Sequence, residues 1–94
     1  MKLVVFSVYD EKACFFGGPF YAKTDGEAIR MFSAAVQDSG SSIGMFPGDF
    51  SLYRIGFFDD GSGSLEAVTP VFLSRGSEHV KPVLKSLETT VISE

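Results

Sequence analysis

Tyr53, Arg54 and Phe57 fall within one apolar run, Phe50 to Phe58, and Lys12 and Lys23 lie in polar segments that the fold could bring near them. Aromatic rings stack on unpaired bases while a few cations hold the backbone, which asks less of net charge than gripping a duplex does. With Arg30 on the outward face of an expected helix, the candidate nucleic-acid-binding set is Lys12, Lys23, Arg30, Tyr53 and Arg54. The competing role for the rings is packing. Ten Phe in so short a chain exceed what a strand face needs for stacking, so a core or a subunit interface is expected to take most of them.

Catalytic signatures fail at the first test. The single His79 has no second histidine or spaced carboxylate to make a metal site, and it is expected at the surface. Cys14, the one cysteine, lies in the apolar run Ala13-Cys14-Phe15-Phe16 and is expected as a buried small hydrophobe rather than a nucleophile. Asp59-Asp60-Gly61-Ser62-Gly63 lacks the alternating acidic spacing and terminal Glu of a calcium loop and fits a hairpin turn. Gly17-Gly18 is followed by no Lys-Ser/Thr of a phosphate loop. No enzyme, cofactor or metal is expected.

The chain has 94 residues, enough for one domain, and 45% of them are hydrophobic. One cysteine forms no intrachain disulfide, which fits a reducing compartment. The opening Lys2 to Phe6 resembles a leader, but Asp10, Glu11 and Lys12 interrupt the apolar run too early. No stretch approaches the roughly 20 apolar residues that span a bilayer, so an intracellular protein without a membrane partner is expected. The net charge of −4 concentrates in residues 59–94, with three basic against six acidic residues. Such a balance gives poor non-specific affinity for phosphate, and any DNA contact must be local.

The elements that must position these residues follow from periodicity. Lys2 to Tyr9 is rich in β-branched and aromatic residues; Leu3, Val5, Ser7 and Tyr9 share one face and Val4, Phe6 and Val8 the other. Phe20-Tyr21-Ala22 suggests a short second strand after Gly17-Gly18-Pro19. Thr24-Asp25-Gly26-Glu27 is a capping box, and a helix over 25–38 would lie on the sheet by Ile29, Phe32 and Val36. Residues 38–42 read as a polar loop, and Pro47-Gly48 as a tight turn with Gly48 at positive φ. A strand from Phe50 to Phe58, with a bulge or close approach at Gly56, pairs with a return strand of Ser64 to Val68 and Val71 to Leu73, which Pro70 makes an edge or splits. The fold class is α+β: a small antiparallel sheet with one main amphipathic helix packed on it. The domain would span residues 1–76, and residues 77–94 would form a tail or a second helix with Val83, Leu84, Leu87 and Val91 after Pro82. Strands apolar on both faces need two covers, so a homo-oligomer is expected to supply the second.

The ordered segments Lys2-Leu3-Val4-Val5-Phe6-Ser7-Val8-Tyr9-Asp10, Pro19-Phe20, Ala28-Ile29-Arg30-Met31-Phe32 and Pro47-Gly48-Asp49-Phe50-Ser51-Leu52-Tyr53-Arg54-Ile55-Gly56-Phe57-Phe58-Asp59-Asp60 together resemble the small nonstructural protein of gokushoviruses, single-stranded DNA phages of the microvirus family. The resemblance covers about residues 1–75. It implies a noncatalytic phage protein of the host cytoplasm that assists viral single-stranded DNA synthesis or packaging, by binding single-stranded DNA or a replication protein. The other class open to it is an interaction module acting on a replication or host factor without touching DNA. The resemblance carries no catalytic motif, and Gly17-Gly18, Phe57 and the tail depart from it.

Overall fold

The computed structural model describes residues 1–80. Strand β1 (Lys2–Asp10) runs through the middle of an antiparallel sheet; β4 (Phe50–Asp59) pairs with it along its length. On β1's other side lie the short strands β2 (Phe15–Phe16) and β3 (Phe20–Ala22), and β5 (Ser64–Arg75) closes the sheet as the edge beyond β4. Helix α1 (Asp25–Gln37) packs on one face. The α+β class and the main helix are as the sequence implies. The expected helical stripe from Val83 to Val91 lies outside the described residues.

The capping box starts α1 as expected. Thr24 Oγ1 accepts from the Glu27 amide at 3.1 Å, and Glu27 Oε1 reaches back to the Lys23 amide at 2.8 Å. Ala28, Phe32 and Val36 form the buried stripe, with Ile29 partly covered. They meet Phe6, Ala22, Phe50 and Leu52 from the sheet, so the even residues of β1 face the core. Arg54 lies on this side and forms an ion pair with Asp25 in the helix's first turn, a fixed link between the two layers.

The polar loop stands over residues 38–41, and a short helix unread in the sequence, α2 (Ser42–Met45), follows it, because Ser41 Oγ accepts from the Gly44 amide at 2.9 Å and donates to Ala35 O at 2.9 Å. Two local expectations are corrected. Pro47 and Gly48 form a 3-10 turn with Asp49 instead of a turn with positive φ, since Pro47 suits the first position of a helical turn. Cys14 is exposed rather than buried. It ends the β1–β2 turn at φ 63°, where its thiol donates to Glu11 O of the same turn at 3.4 Å instead of packing in the core.

Three irregularities shape β4 and β5, one of them at Leu73, an extra residue between Phe72 opposite Tyr53 and Ser74 opposite Leu52. Ile55 is an extra residue opposite β1, where Val5 pairs with Gly56 and Phe6 with Arg54. Gly56 carries the close approach that the sequence suggests: a Cβ there would stand 2.5 Å from Glu66 O of β5. On β5 the ladder breaks between Ala67, opposite Gly56, and Val71, opposite Arg54. Val68, Thr69 and Pro70 therefore bow out of register at the edge.

Candidate functional site

Register and the pleat place residues that are far apart in sequence on the face of the sheet opposite α1. Tyr9 pairs with Phe16 and Ser51, Ser7 with Tyr53, and Tyr53 with Phe72. The result is a row of rings crossing four strands. The centroids of Phe16 and Tyr9 are 4.8 Å apart, those of Phe16 and Tyr53 5.4 Å, and those of Tyr53 and Phe72 5.8 Å, with Tyr53 edge-on to Phe16 and Phe72. Phe16 is 41% and Phe72 49% exposed. A second cluster lies toward the other end of the face, where Tyr21 meets Phe58 at 5.8 Å beside exposed Leu65.

The backbone around the row is fixed. Ser7 Oγ donates to Gly17 O at 2.7 Å and the Gly17 amide donates to Val8 O at 2.8 Å, which ties the β2–β3 link to β1. Burial raises the Tyr9 phenol above its ordinary pKa, and the neighbouring Cys14, Glu11 and Tyr53 add to the shift. Tyr9 therefore stays a neutral ring at physiological pH. The paired Arg75, beyond Ser51 on the same face, is the one cation among the described residues that register sets there. Its Nη2 donates to Glu11 Oε2 at 2.8 Å and its Nη1 to Gly48 O at 2.7 Å.

Of the residues singled out from sequence, Tyr53 stands at the centre of this row. The others do not join it. Arg54, the next residue on the strand, faces α1 and Asp25, as alternation on a pleated strand requires. Phe57 pairs with Val4 on the helix side, with Lys2 Nζ 5.5 Å above its ring. Lys23 precedes α1 and Arg30 lies exposed on it, while Lys12 lines a groove with Ser42, Phe46 and Asp49 on the helix side. Sequence reading missed Phe16 and Phe72. The turn at 10–14 sets the register that brings Phe16 opposite Tyr9, whereas Phe72 reaches Tyr53 only through the break at Val68-Thr69-Pro70, since the 59–63 turn alone would put Pro70 there.

His79 is half-buried, a correction to its expected surface position: its ring meets the edge of Phe32 at 5.7 Å and its Nε2 bonds the buried Ser74 hydroxyl. Glu78 bonds the same hydroxyl at 3.2 Å, so serine, histidine and carboxylate converge. The order is wrong for a relay, because Glu78 reaches the serine and not the far nitrogen of the histidine. This cluster anchors the end of β5 against α1. Among the described residues, no three His, Cys, Asp or Glu side chains gather to hold a metal ion, and no helix is long and apolar enough to cross a membrane.

The sequence pattern of one phage family, described as Phage ORF5 protein, matches residues 3–79. That span holds β1 from Leu3 onward, β2 to β5, both helices and the ring row. The chain belongs to the Phage ORF5 protein family. It is therefore a phage protein, and the matched span ends at His79, the residue that locks β5 to α1. No curated protein and no solved structure matches the chain.

Proposed function

We propose that this Phage ORF5 protein is a noncatalytic nonstructural protein that binds single-stranded DNA on the helix-free face of its sheet. In this role it assists viral single-stranded DNA synthesis or packaging in the host cytoplasm. The observation that carries the reading is the row Phe16, Tyr9, Tyr53 and Phe72, with its outer rings open to solvent. An uncharged row of rings suits stacking, which tolerates any base and needs unpaired ones. The resemblance to the gokushovirus nonstructural protein supports the same assignment. Since the face holds, among the described residues, a single cation that is already paired, binding should be weak and should lose little with salt.

Fluorescence anisotropy with labelled oligo-dT across a salt series tests the reading, with the matching duplex as control. Binding of the single strand in preference to the duplex, with a shallow salt slope, is the expected result. No change in anisotropy at low salt and high protein concentration would overturn it.

A second reading rests on a separate observation. An apolar groove of about 270 Å³ lies on the helix side, lined by Val8, Phe20, Met31, Phe32, Ala35 and Ile43. It suits an apolar side chain of a replication or host protein, in which case the chain acts as an interaction module. The expected homo-oligomer belongs to the same contest for exposed apolar surface. Light scattering that reports a dimer dissociated by Phe72→Ala would assign the ring face to a second subunit instead of DNA.

A further inference from the structure

Ser51 is 1% exposed, and its hydroxyl is the one buried side-chain polar atom without a hydrogen-bond partner among the described residues. Its neighbours Phe50 and Leu52 point into the core, so alternation turns Ser51 toward the ring face. In register it stands between Tyr9 on β1 and Arg75 on β5. A buried hydroxyl normally finds a partner, because leaving it unpaired costs the full desolvation of the group. Arg75 lies directly across the ladder, yet its guanidinium is turned to Glu11 and to Gly48 O.

Arg75 presents a planar fork suited to two oxygens of one anion, and Glu11 supplies such an oxygen from the same chain. Both side chains are about two-fifths exposed, so solvent screens the pair and an incoming anion can compete for it. We infer that Arg75 and Ser51 form a phosphate-binding site beside the ring row, and that the Glu11 carboxylate holds it closed in the free protein. The inference rests on the single-stranded DNA reading and adds a regulatory element to it. A backbone phosphate of the bound strand displaces Glu11, takes the guanidinium fork and accepts from the Ser51 hydroxyl, while the adjacent bases stack on Tyr9 and Tyr53.

The test compares wild type, Glu11→Gln, Ser51→Ala and Glu11→Gln/Arg75→Gln by anisotropy with labelled oligo-dT over a salt series. Glu11→Gln changes an exposed turn residue and keeps the fold intact, which the melting curve verifies. It should tighten binding about two- to five-fold, the value of an exposed ion pair, and steepen the logarithmic salt slope by about 0.7, one phosphate's worth. Ser51→Ala should weaken binding, and Arg75→Gln in the double variant should erase the gain. Binding by Glu11→Gln alone, with none by wild type, would also support the closed site. Equal affinity and slope for wild type and Glu11→Gln, both binding, would overturn the phosphate site and leave stacking in place. No binding by either would overturn the DNA reading itself.

Discussion

Cys14 and Gly63 occupy the same position in two equivalent turns. Each closes a four-residue connection, Cys14 by donating its amide to Asp10 O at 2.7 Å and Gly63 by donating to Asp59 O at 2.7 Å. Each does so in the left-handed region, at φ 63° and 77°. Even the leading carboxylates match: Asp10 Oδ1 accepts from the Lys12 and Ala13 amides, and Asp59 Oδ1 from the Gly61 amide. Glycine takes this conformation freely, whereas a Cβ crowds the following carbonyl there. Replacing Cys14→Gly should therefore stabilise the protein by about 1 kcal/mol, and Gly63→Ala should destabilise it by a similar amount. Urea unfolding midpoints, read with the slope unchanged, check both.

Phe32 is 2% exposed and touches sheet, helix and the His79 ring, so little can collapse into its place. Phe32→Ala should cost about 3 to 5 kcal/mol. Loss of only a few tenths in chemical denaturation would mean that α1 is not the principal cover of the sheet.

At Gly56 the difficulty is a missing space, not a backbone angle. A methyl group there would stand 2.5 Å from Glu66 O, so β4 and β5 must part to admit it. Gly56→Ala should destabilise by about 1 to 3 kcal/mol, and amide exchange should rise along Ala67 and Val71 before it rises in α1.

The two sides of β4 separate binding from stability. Phe72→Ala removes an exposed ring of the row and should weaken oligo-dT binding roughly 5- to 100-fold, the value of one stacked base. Arg54→Gln breaks the link to Asp25 on the opposite side; it should lower the melting temperature and leave DNA affinity unchanged. The reverse pattern would move the binding surface to the helix layer.

Acid should loosen the β4–β5 hairpin first. The Gly61 amide holds the Asp59 carboxyl below its ordinary value of 3.8, partly opposed by desolvation and aided by the N-terminal ammonium. A lowered folded pKa contributes stability above the unfolded value that is lost as pH falls through the folded one. Melting temperature should thus decline as pH drops below 3.8, and Asp59→Asn should flatten that decline. An identical pH profile in the variant would remove Asp59 from the account.

The sheet and main helix were legible because Lys2 to Tyr9, the Thr24 capping box and the Phe50 to Phe58 run each state their period locally. Helix α2 was not: four residues carry no period, and Gly44 hides in a contact where a Cβ would stand 2.0 Å from Asp38 O. The candidate face was half legible. Alternation places Tyr9 and Ser7 together, but only pairing brings Phe16 and Phe72 to this face: Phe16 depends on a turn whose last residue, Cys14, reads as part of an apolar run, and Phe72 on a break in β5 that shifts its register. Neighbours in sequence, Tyr53 and Arg54, are the ones the pleat sends apart.

The bowed stretch Val68-Thr69-Pro70 has a consequence for association at the rim of the sheet. β5 is the outer strand on its side, and a regular outer strand invites a further chain to add to it and then another, the route to fibrils. Here the interrupted ladder and the missing amide of Pro70 deny a newcomer a continuous run of partners. Growth strand upon strand from this rim is thereby interrupted near its middle.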